Sequence, residues 1–102
     1  MKTIQRGEVH WVQLDPARGS EMAKSRPCVI LSPREINDHR RTVVVVPLTT
    51  TETPASSKVR TEHIRAIDKS RLSGFITDIG ADDLQEINRA LCQVLAIKPL
   101  SA

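Results

Sequence analysis

Four consecutive valines, Val43 to Val46, are followed by Pro47 and Leu48 and form the longest apolar run in the chain. A β-branched run without polar alternation is typical of a strand that is buried on both faces. It is far too short to cross a bilayer, which takes about 20 apolar residues as a helix. The run therefore predicts a strand, Val43–Thr49, that is buried on both faces.

The other β-rich runs are also short, and polar segments that contain Pro, Gly or Ser separate them. They predict strands over residues 8–14, 27–31, 58–67 and 71–79. One helical turn is predicted over 32–38, with Ser32 as its cap and Pro33 in the first helical position. A terminal helix is predicted with Asp82 as its cap and Gln85 in the capping-box position. Its apolar stripe consists of Leu84, Ile87, Leu91, Val94 and Leu95.

These elements predict a mainly β (α+β) fold, a small antiparallel barrel with a mid-chain helical turn and a C-terminal helix. At 102 residues the chain is expected to form a single domain, 1–102, whose small core favours a partner subunit. The start of the chain lacks the apolar stretch of a signal peptide, so we expect a cytoplasmic protein with no membrane partner. Cys28 and Cys92 are expected to be reduced and buried, and the sequence has no zinc-ligand spacing, so neither metal nor cofactor is expected.

The charge is uneven along the chain. Residues 1–41 hold eight Lys and Arg against five Asp and Glu, whereas residues 72–102 hold two against four. This asymmetry favours a polyanionic partner on one face. The chain has only two aromatic residues, Trp11 and Phe75, which excludes a platform that holds RNA bases mainly by stacking.

Several blocks of the sequence resemble the MazF/PemK/Kid toxin family. They are Gly7-Glu8-Val9, LDPARGSE at 14–21, RPCVILS at 26–32, VVPLT at 45–49 and EHIRAIDKSRL at 62–72. The resemblance implies an SH3-like barrel of the CcdB/Kid/PemK type, a homodimer, and a sequence-specific, metal-independent endoribonuclease that cuts single-stranded RNA such as mRNA. It also implies growth inhibition that is relieved by a cognate MazE-like antitoxin, whose acidic, extended tail lies along the RNA groove.

The chain departs from the family between Thr49 and Glu62, where only 12 residues stand and the family has a longer segment with a strand pair. Either this member lacks that hairpin, or a loop is missing from the sequence near Ser56-Ser57-Lys58. The second interpretation is favoured because the loss of a hairpin would expose an edge strand.

Cleavage of RNA without a metal needs a base at the 2′-hydroxyl, an acid at the departing 5′-oxygen and positive charge at the phosphorus. The catalytic candidates are Arg26, Thr49, Arg60 and Glu62. The guanidinium of Arg26 matches phosphate geometry and suits charge stabilisation, because its high pKa makes it a poor proton donor. Two positions apart on a predicted strand, Arg60 and Glu62 are expected on one face, about 7 Å from each other. The general base is left open between Glu62, Glu21 and Thr49.

Further candidates belong to the loop over 15–24 and to the segment after Thr49. The predicted RNA-binding residues are Arg18, Ser20, Glu21, Lys24 and Thr50. At position 20 some relatives carry a histidine, so a histidine-assisted mechanism is not expected there.

Three alternatives stay open. The first is a paired-histidine ribonuclease mechanism, for which His10 and His63 are predicted on strands and His39 in a polar turn. The second is a non-catalytic, CcdB-like toxin that acts by binding DNA gyrase, since one fold hosts several functions. The third is an inactivated toxin that only binds antitoxin or RNA. The Arg-Pro strand start together with the strand end at Thr49 favours the catalytic family.

Overall fold

The computed structural model describes residues 3–16, 18–19, 24–49 and 59–98. The strands in these ranges are β1 (Glu8–Gln13), β2 (Ser25–Ile30), β3 (Thr42–Pro47), β4 (Arg65–Asp68) and β5 (Leu72–Asp78). The helix α1 (Arg34–His39) connects β2 to β3, and α2 (Ala81–Val94) follows β5. Two short 3-10 helices, Thr61–His63 and Lys69–Arg71, flank β4.

The five strands form one antiparallel sheet in the order β4-β3-β2-β1-β5. Its two edge strands are consecutive in sequence, because only the 3-10 helix Lys69–Arg71 separates β4 from β5. A connection that short requires the sheet to curl until its edges approach each other. The predicted α+β fold with a small, bent antiparallel sheet is therefore confirmed, although within the described residues the sheet stays open rather than closing by strand pairing.

The valine run lies in the middle of this sheet and contributes to both of its faces, as its composition predicts. Val43 and Val45 join one buried cluster, which also holds Val12, Leu14, Cys28, Ile30 and Ile67. Val46 joins a second cluster on the opposite face, and the half-buried Val44 packs against it. The helix α2 covers this second face through Ile87, Leu84 and Leu91. The strand β3 thus contributes side chains to both buried clusters.

The predicted cap of the mid-chain helix is wrong. Pro33, not Ser32, is the N-cap residue of α1, and no side chain caps this helix end. The Ser32 side chain is buried instead, where its hydroxyl donates to Asn37 Oδ1 at 2.6 Å and accepts from Val44 N at 2.9 Å. Burial of a hydroxyl is costly without hydrogen bonds, so a partner deep in the fold displaces the local cap.

Asn37 is the centre of this buried network. Its side-chain amide donates to the carbonyls of Ile4 and Ser32, both at 2.9 Å, and its own carbonyl accepts from Lys69 Nζ. The residue is 1% exposed. It therefore joins the N-terminal segment, α1 and the connection between β4 and β5.

The helix α2 also begins differently from the prediction. Gly80, with φ of +84°, is its N-cap residue, and Asp82 lies inside the first turn without a side-chain cap bond. A positive φ of this kind favours glycine, so the backbone rather than a carboxylate determines where the helix begins. The predicted stripe is only partly buried, because Val94 and Leu95 are 45% and 48% exposed. Neither helix in the described ranges is long and apolar enough to span a membrane.

Replacement of Asn37 by Ala should lower the free energy of unfolding by roughly 2–6 kcal/mol, because the carbonyls of Ile4 and Ser32 lose their donor at about 1–3 kcal/mol each. Asp38→Ala is the matched control, since it removes only an exposed pair with Arg34 at 3.7 Å. A surface pair of this kind contributes about 0–1 kcal/mol. Urea denaturation of both variants at one protein concentration measures the difference. Equal effects of the two substitutions would contradict the role of Asn37.

Candidate active site

Two of the predicted catalytic residues stand opposite each other at one end of the sheet. Cys28 of β2 is paired with Pro47 of β3, and Leu48 N donates to Pro27 O at 2.9 Å. Because the strands are antiparallel, continuing this register by two residues brings Arg26 across from Thr49. Both residues are half-buried. The register therefore places the backbones of Arg26 and Thr49, two residues that the sequence predicts for the reaction, across from each other.

Arg60 reaches the same end by its backbone. Its amide donates to Pro47 O at 2.9 Å, and the preceding Val59 forms an isolated bridge with Leu48. Arg65, the first residue of β4, pairs with Val45. We refer to Arg26, Thr49, Arg60, Glu62 and Arg65 as the arginine end of the sheet.

The predicted strand over 58–67 is confirmed only from Arg65 onward, because Thr61–His63 form a 3-10 helix and β4 begins at Arg65. Three residue steps on β3 separate Val45 from Leu48, whereas six steps separate their partners Arg65 and Val59. The surplus residues have no ladder partner on β3, and Pro47 has no N–H to donate. They satisfy their backbone locally, with His63 N donating to Arg60 O at 2.9 Å.

This turn changes the geometry of the Arg60 and Glu62 pair. The two side chains do not stand 7 Å apart on one face of a strand, because Arg60 Nε lies 3.4 Å from Glu62 Oε1. Both side chains are largely exposed. They form a surface ion pair at the arginine end, open to a ligand in solution.

The pKa of the Glu62 carboxyl lies below its ordinary value. The largest cause is a hydrogen bond from its own backbone N–H, to which Arg60 adds charge and a hydrogen bond and His63 a smaller charge effect. Glu62 is therefore a carboxylate at neutral pH and can accept a proton, but not donate one. A lowered pKa also makes it a weaker base than an ordinary carboxylate.

Cys28 is buried behind the arginine end. Burial raises the pKa of its thiol to about 12, against the lowering effect of Arg65 and Arg26. Since the thiolate is the nucleophilic form, this cysteine is unreactive at neutral pH. Both cysteines are free, as expected, but Cys92 is only half-buried.

Arg65 is a residue that the sequence reasoning did not select. Its position on β4, two residues before the buried Ile67, places both on the same face of the strand. The signal that could have found Arg65 was its alternation with Ile67 along the strand.

The remaining site candidates are only partly described. Arg18 and Lys24 are exposed, and Lys24 has a φ of +66° directly before β2. The predictions for Ser20, Glu21 and Thr50, and for the seam at 56–58, fall outside the described residues. In those that are described, no group of three or more His, Cys, Asp or Glu residues could hold a metal ion.

The three histidines lie in different elements. His10 is on β1 as predicted, with Nε2 2.8 Å from Glu8 Oε1 and its ring edge-on to Phe75 at 5.6 Å. His63 lies in the 3-10 helix beside Glu62, so its predicted place on a strand is wrong. His39 is the last residue of α1.

Comparison with known protein families shows which family the chain belongs to. The model of the PemK-like, MazF-like toxins of type II toxin–antitoxin systems matches residues 5–95. The chain belongs to this family. Its curated relatives include the endoribonuclease MazF9 of Mycobacterium tuberculosis, 33% identical over 86% of this chain and 92% of the relative. MazF6 of the same species, also an endoribonuclease, is 28% identical over 90% of this chain and 96% of its own.

Solved structures agree on the fold of the PemK/MazF family. A MazF from Deinococcus radiodurans superposes with a TM-score of 0.82 and 24% identity, over 94% of this chain and 99% of that one. A mycobacterial endoribonuclease in complex with its cognate antitoxin gives 0.79 at 24% identity, over 97% and 99%. The fold class inferred from the sequence is thus the fold of MazF structures.

Replacement of Arg60 by Gln should raise the pKa of Glu62 towards its ordinary value, because both contributions of the guanidinium are lost. The Glu62 side chain then takes up its proton at a higher pH than in the wild type. The carboxyl carbon shift of Glu62, followed by NMR through a pH titration, measures this change. Arg89→Gln is the matched control, since Arg89 is paired with Glu86 on α2. If the pKa of Glu62 is the same in Arg60→Gln as in the wild type, Arg60 does not lower it and the Arg60–Glu62 ion pair is contradicted.

Proposed function

We propose that this chain is a sequence-specific, metal-independent endoribonuclease toxin that cuts single-stranded RNA, mRNA included, in the cytoplasm. The observation that supports the proposal most is the β2–β3 register, in which Cys28 meets Pro47 and which, continued by two residues, brings Arg26 across from Thr49. Membership of the PemK/MazF family and relatives named endoribonucleases support the same activity.

In the proposed reaction the 2′-oxygen attacks the adjacent phosphorus, and the bond from phosphorus to the 5′-oxygen breaks. The proton of the 2′-hydroxyl passes to a base, and the 5′-oxygen takes up a proton as it leaves. The products are a 2′,3′-cyclic phosphate and a 5′-hydroxyl. No metal is needed if arginines supply the positive charge on the phosphorane.

Each residue of the arginine end has a proposed task. Arg26 stabilises the negative charge on the phosphorane oxygens, and the Thr49 hydroxyl hydrogen-bonds to the phosphate or to the 2′-oxygen. Glu62 is the proposed base, because it is ionised and stands beside Arg60, with Glu21 and Thr49 as the competing bases. Arg60 is the proposed acid, as the resemblance to some members of the family implies, and its proximity to Glu62 supports a joint role.

RNA contacts outside the reaction centre are proposed for Arg18, Ser20, Glu21, Lys24 and Thr50. These residues would determine where the RNA is cut. Arg65, the first residue of β4, adds positive charge for the phosphates at the same end of the sheet.

We further propose a homodimer that an acidic antitoxin tail inhibits. Val94, Leu95 and Ile97 at the end of α2 are about half exposed, which is unusual for large apolar side chains in a small domain and would be relieved by a second subunit. An extended acidic tail would compete with RNA for the arginine end, because both present regularly spaced negative charge.

The purified chain should cut single-stranded RNA in the presence of EDTA and leave 5′-hydroxyl ends. Sequencing of the ends from a mixed RNA pool, with and without phosphorylation of the 5′-hydroxyls, measures both the chemistry and the cut sequence. Cleavage that requires magnesium or leaves 5′-phosphates would overturn the proposed mechanism. Intact RNA together with inhibition of DNA gyrase would favour the CcdB-like alternative.

Replacement of Arg26 by Lys should reduce cleavage at least about a hundredfold and leave RNA binding nearly intact, since Lys keeps the charge and loses the planar fork. Arg34→Lys on α1, an exposed arginine that faces Asp38, is the matched control and should cleave normally. Single-turnover rates and RNA affinity, measured for both variants, separate chemistry from binding. Full activity of Arg26→Lys would exclude Arg26 from the reaction centre.

Glu62→Gln and Glu21→Gln, assayed in parallel, identify the base, because only loss of the true base removes the acidic limb of the pH–rate profile. If both variants keep that limb and His10→Gln or His63→Gln loses it, a histidine mechanism replaces the proposed one.

A further inference from the structure

Arg71 lies at the end of the 3-10 helix that joins the two edges of the sheet. Its Nη1 donates to two backbone carbonyls at the end of β1, Gln13 O at 3.0 Å and Asp15 O at 2.6 Å. The two acceptors are 58 and 56 positions away in sequence. Hydrogen bonds from a charged donor are stronger than neutral ones, so this contact fixes the point at which the chain leaves β1.

The carbonyls that Arg71 binds belong to the neck of the β1–β2 connection, by which we mean residues 13–15 and residue 24, where the two ends of the connection are held together. On the other side of this neck, Leu14 N donates to Lys24 O at 2.8 Å and Lys24 N donates to Asp15 Oδ1 at 2.9 Å. Lys24 is held at a φ of +66°, which an L-residue adopts only when its surroundings impose it. Two residues later the chain reaches Arg26.

Arg71 is itself placed on a firmly held turn. The carboxylate of Asp68 accepts from Ser70 N at 2.8 Å, and Lys69 N donates to Arg41 O at 2.8 Å. The pKa of Asp68 lies below its ordinary value, chiefly because of the Ser70 hydrogen bonds, with smaller contributions from the charges of Arg41 and Arg71. These hydrogen bonds hold the turn from which the Arg71 side chain extends to β1.

The strand register connects this contact to the arginine end. Leu72, next to Arg71, pairs with Val12 of β1, and Val12 pairs with Arg26 of β2. A shift of β1 at its end therefore moves the partner of Arg26. Displacement of a catalytic group by about 1 Å can reduce a rate by about a hundredfold.

We propose that Arg71 is a positioning residue for RNA cleavage. It holds the neck of the β1–β2 connection, and through Asp15, Lys24 and the β1–β2 register it sets the position of Arg26 without contacting the substrate. The effect on cleavage rests on the proposed function, whereas the effect on the neck does not.

The test compares Arg71→Gln with Arg41→Gln. Both substitutions remove one positive charge near Asp68, but only the first removes the bonds to Gln13 and Asp15. For Arg71→Gln we expect a kcat reduced at least about tenfold with KM within about threefold, the pattern of a lost transition-state arrangement. The amide hydrogen of Lys24 should exchange at least about tenfold faster, because its bond to Asp15 depends on the closed neck. Arg41→Gln should resemble the wild type in both measurements.

A second pair of variants opens the neck from the other side. Asp15→Ala removes the acceptor of Lys24 N and should reproduce the loss, whereas Asp15→Asn keeps the oxygen and should restore most of the rate. The double variant Arg71→Gln/Asp15→Ala should lose less than the two separate effects combined, since both act on one neck. This series also covers the case in which one substitution prevents folding.

Three results would overturn the proposal. An Arg71→Gln enzyme with wild-type kcat would show that Arg71 has no part in the reaction. A raised KM with unchanged kcat and unchanged exchange at Lys24 would make Arg71 a direct RNA contact. Unchanged exchange with a reduced kcat would place its effect somewhere other than the neck. A wild-type chain that leaves RNA intact would instead refute the proposed function, and the exchange measurement would still decide whether Arg71 holds the neck.

Discussion

The pairing of β2 with β3 is the interaction on which the rest of the molecule depends. It buries the valine run against both clusters, and it fixes the register in which Cys28 meets Pro47. That register leaves Arg26 and Thr49 at the same end of the sheet. A shift of one residue would reverse the faces of β3 and separate these two side chains, so core packing and the candidate site are specified by the same contacts.

The arginine end combines several cations with one exposed carboxylate. Arg26 and Arg65 are half-buried, whereas Arg60 and Glu62 form a pair that is more exposed to solvent. Phosphates can thus meet positive charge that is partly desolvated, where electrostatic interactions are stronger than in bulk water. The exposed pair can rearrange around the substrate at small cost, because a surface ion pair contributes little to stability.

Most of the strands and the terminal helix could be predicted because their signals are local, whereas the placement of Arg26 across from Thr49 follows from the β2–β3 register. Alternation, β-branching and the Arg-Pro block can be recognised in the sequence without knowledge of the strand register. The 3-10 helix Thr61–His63 could not be predicted, since it arises from a mismatch in length between Val45–Leu48 and its partner segment. Ser32 and Asp82 failed as caps for a similar reason. The Ser32 hydroxyl donates to the buried Asn37 side chain instead of capping the helix. The backbone conformation of Gly80 determines where α2 begins.

The position of β5 at the edge next to β1 has a consequence for the order in which the protein is made. While the chain is synthesised, β2, β3 and β4 can pair as soon as they emerge, but β1 has one free side until residues 72–78 follow. Arg71 emerges just before them. A nascent chain that stops at β4 thus carries Arg26, Thr49 and Glu62 while the exit of β1 is still unsecured. With the proposed function, the site would be assembled only when synthesis is nearly complete, which leaves little time in which an unfinished chain could cut RNA.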